Sequence, residues 1–110
     1  MIKLPYCVYI LFSLKDFKLY IGYTTRLEER FREHMEGSTK STKGRRPFEV
    51  VFCEYYVHKA DATRREDYFK TTAGKKALKL MLRHTLAERG YQGAVQNIEI
   101  CGLPAEDHNR

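Results

Sequence analysis

Tyr9, Tyr20, Arg30 and His34 are the residues whose types and spacing can do chemistry. Phenols and an imidazole can hold or pass protons, and a guanidinium suits a phosphate oxygen. Arg30 and His34 stand four apart, so on a helix they share one flank. The tyrosines fall in two short apolar runs, Tyr6 to Leu14 and Leu19 to Tyr23, with Lys15-Asp16-Phe17-Lys18 between them. That length fits a hairpin loop. If Ser13 pairs with Lys18, Leu11 faces Tyr20 and Tyr9 faces Gly22, which leaves open space beside a phenol. The tyrosines are then diagonal neighbours on one face. A slip of one residue would send Tyr20 to the other face.

The helix that would carry Arg30 and His34 is well signalled. Thr25-Arg26-Leu27-Glu28 fits a capping box, and Gly37 fits the C-terminal stop. Leu27, Phe31 and Met35 form its expected core stripe, with Arg30 and His34 at the seam between core and solvent. The next segment, GSTKSTKGRRP, is a loop by its Gly, Ser, Thr and Pro content. It carries Lys40, Lys43, Arg45 and Arg46 and no acid. Such loops are often only solvated, but beside a cleft this one reads as a phosphate-contacting arm.

Phe48 to Val57 is β-branched and aromatic and predicts a third strand. Asp61 is the expected N-cap of a second helix that Gly74 ends. Within it Ala62, Phe69 and Ala73 share one face, and Glu66 lies in the middle of that face. A carboxylate on a buried stripe must be paired, protonated or metal-bound. A solvent-reaching Glu, or a pair with an arginine such as Arg30, is the ordinary outcome. Beside a tyrosine–arginine–histidine cleft, the preferred reading is a divalent-metal ligand. Lys75 to Gly90 predicts a third helix with Leu78, Met81, Leu82 and Leu86 inward. Its outer Lys75, Lys76, Lys79 and Arg83 offer at most a secondary nucleic-acid surface. Val95 to Cys101 fits a short strand or an extended segment.

Length and composition set the bounds. The 110 residues suit one domain, expected over 1–90, with 91–110 as a partly ordered extension. No apolar run is long enough for a membrane span, and the N-terminus lacks the layout of a signal peptide. A cytoplasmic protein is expected. Cys7, Cys53 and Cys101 have no Cys-x-x-Cys spacing, which argues against zinc, and Cys7 and Cys53 are expected to be buried thiols. A net charge of +6 favours a polyanionic partner, nucleic acid first.

The order strand, strand, helix, strand, helix, helix, with these residues, resembles the GIY-YIG nuclease superfamily. Cys7-Val8-Tyr9 stands where that family has Gly-Ile-Tyr, and Tyr20-Ile21-Gly22 matches its YIG. Arg30 follows Tyr20 by ten residues, and His34 follows four later. Gly37, Arg45-Arg46-Pro47-Phe48 and Ala62-x-x-Arg65-Glu66-x-x-x-Lys70 resemble the small stand-alone UvrC-like or UPF0213-type branch. The resemblance implies an α/β (α+β) domain with a three-stranded antiparallel sheet flanked by helices, in the order β-β-α-β-α-α.

It also implies a metal-dependent endonuclease acting on DNA, with RNA left open. Glu66 would bind one divalent ion, Mg²⁺ or Mn²⁺. Tyr9 would orient or deprotonate the attacking water, and Tyr20 would assist. Arg30 would neutralise the scissile phosphate, and His34 would support proton transfer or hold the phosphate. Lys40, Lys43, Arg45 and Arg46 would bind nucleic acid. A free tyrosine has a pKa near 10, so a basic Tyr9 needs help from its surroundings. The family glycine is Cys7 here, a change within a strand. No second DNA-binding domain is visible, so selectivity would come from structured or damaged DNA or from a protein partner. Two other classes fit the same residues: a nucleic-acid-binding module that does not cut, and an interaction subunit of a DNA-processing complex.

Overall fold

The computed structural model describes residues 1–89 and 98–104. Two strands, β1 (Tyr6–Ser13) and β2 (Leu19–Thr24), form the expected hairpin. The Ser13 amide donates to the Lys18 carbonyl at 3.0 Å, and the register is the one that this pairing implies: Leu11 faces Tyr20 and Tyr9 faces Gly22. Beyond Ser13 the chain turns sharply, with Phe17 at a φ of 60° and its amide donating to the Ser13 carbonyl at 2.9 Å. The buried Ser13 hydroxyl accepts from the Lys15 and Asp16 amides and donates to the Arg45 carbonyl at 2.6 Å. One side chain thereby ties the turn to the basic loop.

The sheet has four strands rather than three, in the order β3-β1-β2-β4. β3 (Phe48–Tyr56) pairs antiparallel with β1, and β4 (Ile100–Gly102) adds a parallel edge to β2 at Leu19–Ile21. Ile98, Ile100 and Leu103 are buried, so apolar contact holds this edge in place. Of the two outcomes expected for Val95 to Cys101, a short strand or an extended segment, a strand forms at Ile100–Gly102; three residues are too few to show their own periodicity, so the sequence left its place in the sheet open. Val95–Asn97 and Gly90 lie outside the described residues.

The helices also depart from expectation. α1 (Leu27–Glu36) starts after Arg26, whose amide donates to the Thr24 hydroxyl at 3.0 Å, so the Thr25–Glu28 capping box does not form. Gly37 ends it in the left-handed region at φ 83°. α2 (Lys59–Phe69) is capped by His58, not Asp61: the His58 ring accepts from the Ala60 amide at 3.1 Å. Gly74 does not end α2. Thr71 caps a new helix, α3 (Thr72–Met81), by accepting from the Gly74 amide at 3.0 Å. The single third helix is therefore two, since α4 (Arg83–Glu88) follows a break at Leu82. The break leaves Met81 exposed and keeps Leu78, Leu82 and Leu86 inside.

The two sheet faces carry different cores. Val8, Ile10, Phe12, Leu19 and Ile21 pack under α2, α3 and α4 through Ala62, Phe69, Leu78, Leu82 and Leu86. The opposite face, with Cys7, Tyr9, Leu11, Tyr20 and Phe48, packs under α1. There the helix turns a polar flank inward. Arg30 and His34 are its buried residues, Leu27 and Phe31 are half-buried, and Met35 is exposed. That inverts the expected stripe, and polar groups placed this way need internal partners. Cys7 is buried, which pushes its thiol up to about 12. Cys53, expected inside, is exposed, because β3 is an edge strand that α1 covers only around Phe48 and Val50.

Two predictions test this packing. A Cβ on Gly74 would lie 1.8 Å from the Tyr68 carbonyl oxygen and 2.9 Å from the Phe69 Cα, both backbone atoms that cannot yield. Gly74→Ala gains up to about 1 kcal/mol of helix propensity. The overlap, at about 1–3 kcal/mol or more, should win. A lower urea midpoint is expected, and a higher one would contradict the close approach of α2 and α3. Asp16 accepts from the Tyr20 hydroxyl at 2.6 Å, the Lys18 amide at 3.0 Å and Arg45 at 3.1 Å. Burial raises its pKa, but these hydrogen bonds outweigh burial and hold it below the ordinary 3.8. Its stabilisation is thus complete above that value and fades as the pH falls through the lower folded value. Asp16→Asn should cost on the order of 1–3 kcal/mol at pH 7. The gap to wild type should close in acid, and a gap independent of pH would sink this account.

Candidate functional site

β1 carries Tyr9 in the middle of the sheet, and Gly22 faces it on β2. The phenol fills the space that glycine leaves: a Cβ at position 22 would sit 2.3 Å from the Tyr9 Cζ. From there the Tyr9 hydroxyl reaches His34 Nε2 at 3.2 Å. The other ring nitrogen, Nδ1, lies 2.9 Å from the Thr42 hydroxyl, which itself donates to the Thr39 carbonyl at 3.3 Å. In the tautomer with the proton on Nδ1, the Thr42 hydroxyl donates to Thr39, His34 Nδ1–H donates to Thr42, and Nε2 accepts from the Tyr9 O–H. Tyr9 and His34 are 1% and 0% exposed, so this contact is shut away from water.

Arg30 lies one turn before His34 and is also buried. Its Nη1 donates to Glu33 at 3.0 Å and to the Thr39 hydroxyl at 3.3 Å. Arg30 leads the bonds that hold the Glu33 carboxyl below its usual range, against a smaller effect of burial. Phe48 packs edge-on against both Tyr20 and His34, with ring centroids 5.7 and 6.1 Å apart. The two tyrosines share a face, as their register requires, but their hydroxyls diverge. Tyr20 turns towards the hairpin tip and donates to Asp16, away from His34. Burial, and then that bond and the Asp16 charge, raise the Tyr20 phenol well above its usual 10. Tyr20 is therefore held as a neutral phenol bonded to the hairpin turn.

Glu66 is 1% exposed and projects from α2, which covers the other face of the sheet. Its carboxylate lies 3.4 Å from Lys70 Nζ, one helical turn on. The Lys70 stem runs beside Gly102, where a Cβ would be 2.9 Å from the Lys70 Cε, and Gly102 pairs with Ile21. No group of three or more His, Cys, Asp or Glu among the described residues could hold a metal ion. A divalent ion at Glu66 would have this one carboxylate and would need water and substrate oxygens for the rest. That set fits Mg²⁺, which keeps its waters and prefers hard oxygen donors, and does not fit zinc.

The basic loop divides into two. Arg45 leaves it to pair with Asp16 at 3.1 Å and to lie over the Tyr20 ring at 5.9 Å. Lys40, Lys43 and Arg46 instead line a cavity with Lys15. Four residues of this region were not singled out from the sequence: Asp16, Thr42, Phe48 and Lys15. Only Asp16, four before Tyr20 across a tight turn, left a readable signal, since a carboxylate there can meet the tyrosine over the hairpin end. Thr42 and Phe48 reach His34 through tertiary packing alone.

Comparison with known proteins agrees with this architecture. The GIY-YIG catalytic domain family matches residues 5–79. A UPF0213 protein of Clostridium perfringens is 37% identical over 86 residues, covering 77% of this chain and 91% of its own length. One from Staphylococcus haemolyticus is 43% identical over 75 residues, covering 67% and 90%. The UPF0213 protein YazA of Bacillus subtilis is 43% identical over 63 residues, or 56% and 64% of the two chains. No solved structure matches. With the matched domain spanning β1 to α3 and the tyrosine pair in register on one hairpin, the chain belongs to the GIY-YIG family, among small single-domain proteins similar to UPF0213 members.

Proposed function

We propose that this protein is a metal-dependent endonuclease that hydrolyses DNA phosphodiester bonds. The observation that carries the reading is the chain from the Tyr9 hydroxyl through His34 to Thr42, with Arg30 one turn away. In the tautomer with the proton on Nδ1 it supplies what an isolated tyrosine lacks, a route for the phenolic proton. In the forward step a water oxygen attacks phosphorus, Tyr9 oxygen takes the water proton, and Tyr9 passes its own proton to His34 Nε2. The bond to the leaving oxygen breaks and that oxygen takes a proton from solvent water, giving a 5′-phosphate and a 3′-hydroxyl as the family resemblance implies. Arg30 offsets the charge that develops on the phosphoryl oxygens, usually the largest contribution at such a centre. A divalent ion at Glu66, Mg²⁺ or Mn²⁺, would add further charge stabilisation when bound. The loop cations read phosphate rather than bases, so selectivity would rest on the shape of structured or damaged DNA or on a protein partner.

One observation favours a second reading. Tyr9, His34 and Glu66 are all but inaccessible, at 1%, 0% and 1% exposure. A nucleic-acid-binding module that does not cut would need none of them at its surface. An endonuclease would have to open the site as the strand binds.

The deciding measurement is cleavage of labelled duplex, single-stranded, flap and branched DNA with Mg²⁺, Mn²⁺ or EDTA. Metal-dependent cutting is expected. Tyr9→Phe and Glu66→Ala should each lower the rate by about a hundredfold or more while still binding DNA. A wild-type protein that binds these DNAs and cuts none with either metal would leave the binding module as the correct account.

A further inference from the structure

We propose that Lys15, Lys40, Lys43 and Arg46 form a subsite for a backbone phosphate of a nucleic-acid strand, apart from the reacting one. The inference rests on the nucleic-acid part of the reading above and not on cleavage. These four cations line one cavity of about 650 Å³, whose remaining wall is Met35, Gly44 and Pro47. No acid lines it. That sets it apart from its surroundings, where Arg26 and Arg30 pair with Glu33, Arg45 with Asp16 and Lys18 with Glu99. Four like charges around one cavity repel one another, and an anion entering it relieves that repulsion.

The cavity is built from two segments that the fold locks together. Lys15 comes from the hairpin turn, and the others come from the loop after α1. The Leu14 amide donates to the Pro47 carbonyl at 2.8 Å, and the Ser13 hydroxyl holds both the Lys15 amide and the Arg45 carbonyl. Arg46 is fixed further: Nε donates to the Lys43 carbonyl at 2.8 Å and Nη1 to the Met35 carbonyl at 3.3 Å. Its guanidinium also sits against Gly37, where a Cβ would be 2.9 Å from Nη1. A pre-ordered guanidinium loses less entropy on binding than a free one. At Gly44 an added Cβ would meet nothing within 4 Å, so this part of the wall leaves room for a phosphate against bare backbone.

The ligand is a strand rather than a small anion because the same loop continues into the candidate active site. Thr39 and Thr42 contact Arg30 and His34, while Lys40 and Lys43, beside them in sequence, line the cavity. Consecutive phosphates of one strand can therefore occupy both places. Met35 and Pro47 give an apolar wall for the sugar between them.

Fluorescence anisotropy with labelled DNA in EDTA tests this without any catalysis. Lys15 is exposed and contributes no side-chain bond to the hairpin, so its variants should fold. Lys15→Glu should weaken binding about fivefold or more near 0.1 M salt, and Lys15→Ala should reduce the slope of log affinity against log salt by about one. Lys3→Glu, at an exposed position before β1 and outside every candidate nucleic-acid surface, makes the same change in net charge and serves as the reference. Equal losses in Lys15→Glu and Lys3→Glu, or no loss in Lys15→Glu, would overturn the subsite. So would abolition of the Lys15-dependent step by millimolar inorganic phosphate, which would assign the cavity to a small anion. If the wild type cuts DNA but KM ignores Lys15, the subsite falls and the nuclease stands. If it cuts nothing but binding depends on Lys15, the subsite stands and the nuclease falls.

Discussion

A buried phenol and a buried imidazole satisfy each other at the centre of this fold. Tyr9 and His34 are both shut away from water, and their hydrogen bond spares each the cost of an unmet polar group. Much else follows from that bond. The hairpin must place Gly22 opposite Tyr9, because the ring lies where any other side chain would start. α1 must turn its Arg30–His34 flank to the sheet, at the expense of Leu27, Phe31 and Met35. The loop must bring Thr42 back to hold the second ring nitrogen. A helix that buries arginine and histidine while exposing methionine gives up apolar burial to keep polar groups in position.

The charges are arranged with the same economy. Several arginines have carboxylate partners that tie one part of the chain to another: Arg45 to the hairpin turn, Arg65 on α2 to Glu54 on β3, Arg89 to Glu49. Pairs at this exposure contribute little stability each. Their role is to set direction, most clearly at Asp16, where one carboxylate gathers a tyrosine, an arginine and a backbone amide. What is left over, Lys15 with Lys40, Lys43 and Arg46, is concentrated beside the site. The basic balance of the chain therefore has a location.

The sheet divides the chemistry between its faces. Tyr9, Tyr20, Arg30 and His34 belong to the α1 face, and Glu66 comes from the helix on the other. Lys70, the partner of Glu66, lies beside Gly102 of the short β4 strand, which pairs with Ile21 of β2. A site assembled around a sheet end can combine proton transfer on one side with a carboxylate on the other.

The sequence by itself determined the hairpin, its register, the third strand and the burial of Glu66. Each of these rests on short-range pattern: an apolar run beside a four-residue loop, a β-branched run, and one carboxylate on an apolar helical stripe. It also carried the tyrosine, arginine and histidine spacings by which the family was read. Only tertiary structure decided the rest. The rotation of α1 depends on partners that lie eight to twenty-five residues away, so its own periodicity pointed to the wrong stripe. Val95 to Cys101 read equally as strand or extended segment, and it is the edge that β2 offers that makes Ile100–Gly102 a strand. The hydroxyls of Tyr9 and Tyr20 diverge because one meets an imidazole from a helix and the other a carboxylate from a turn. Backbone register is local and can be read along the chain. The direction of a buried polar side chain is set by whichever distant group completes its hydrogen bond.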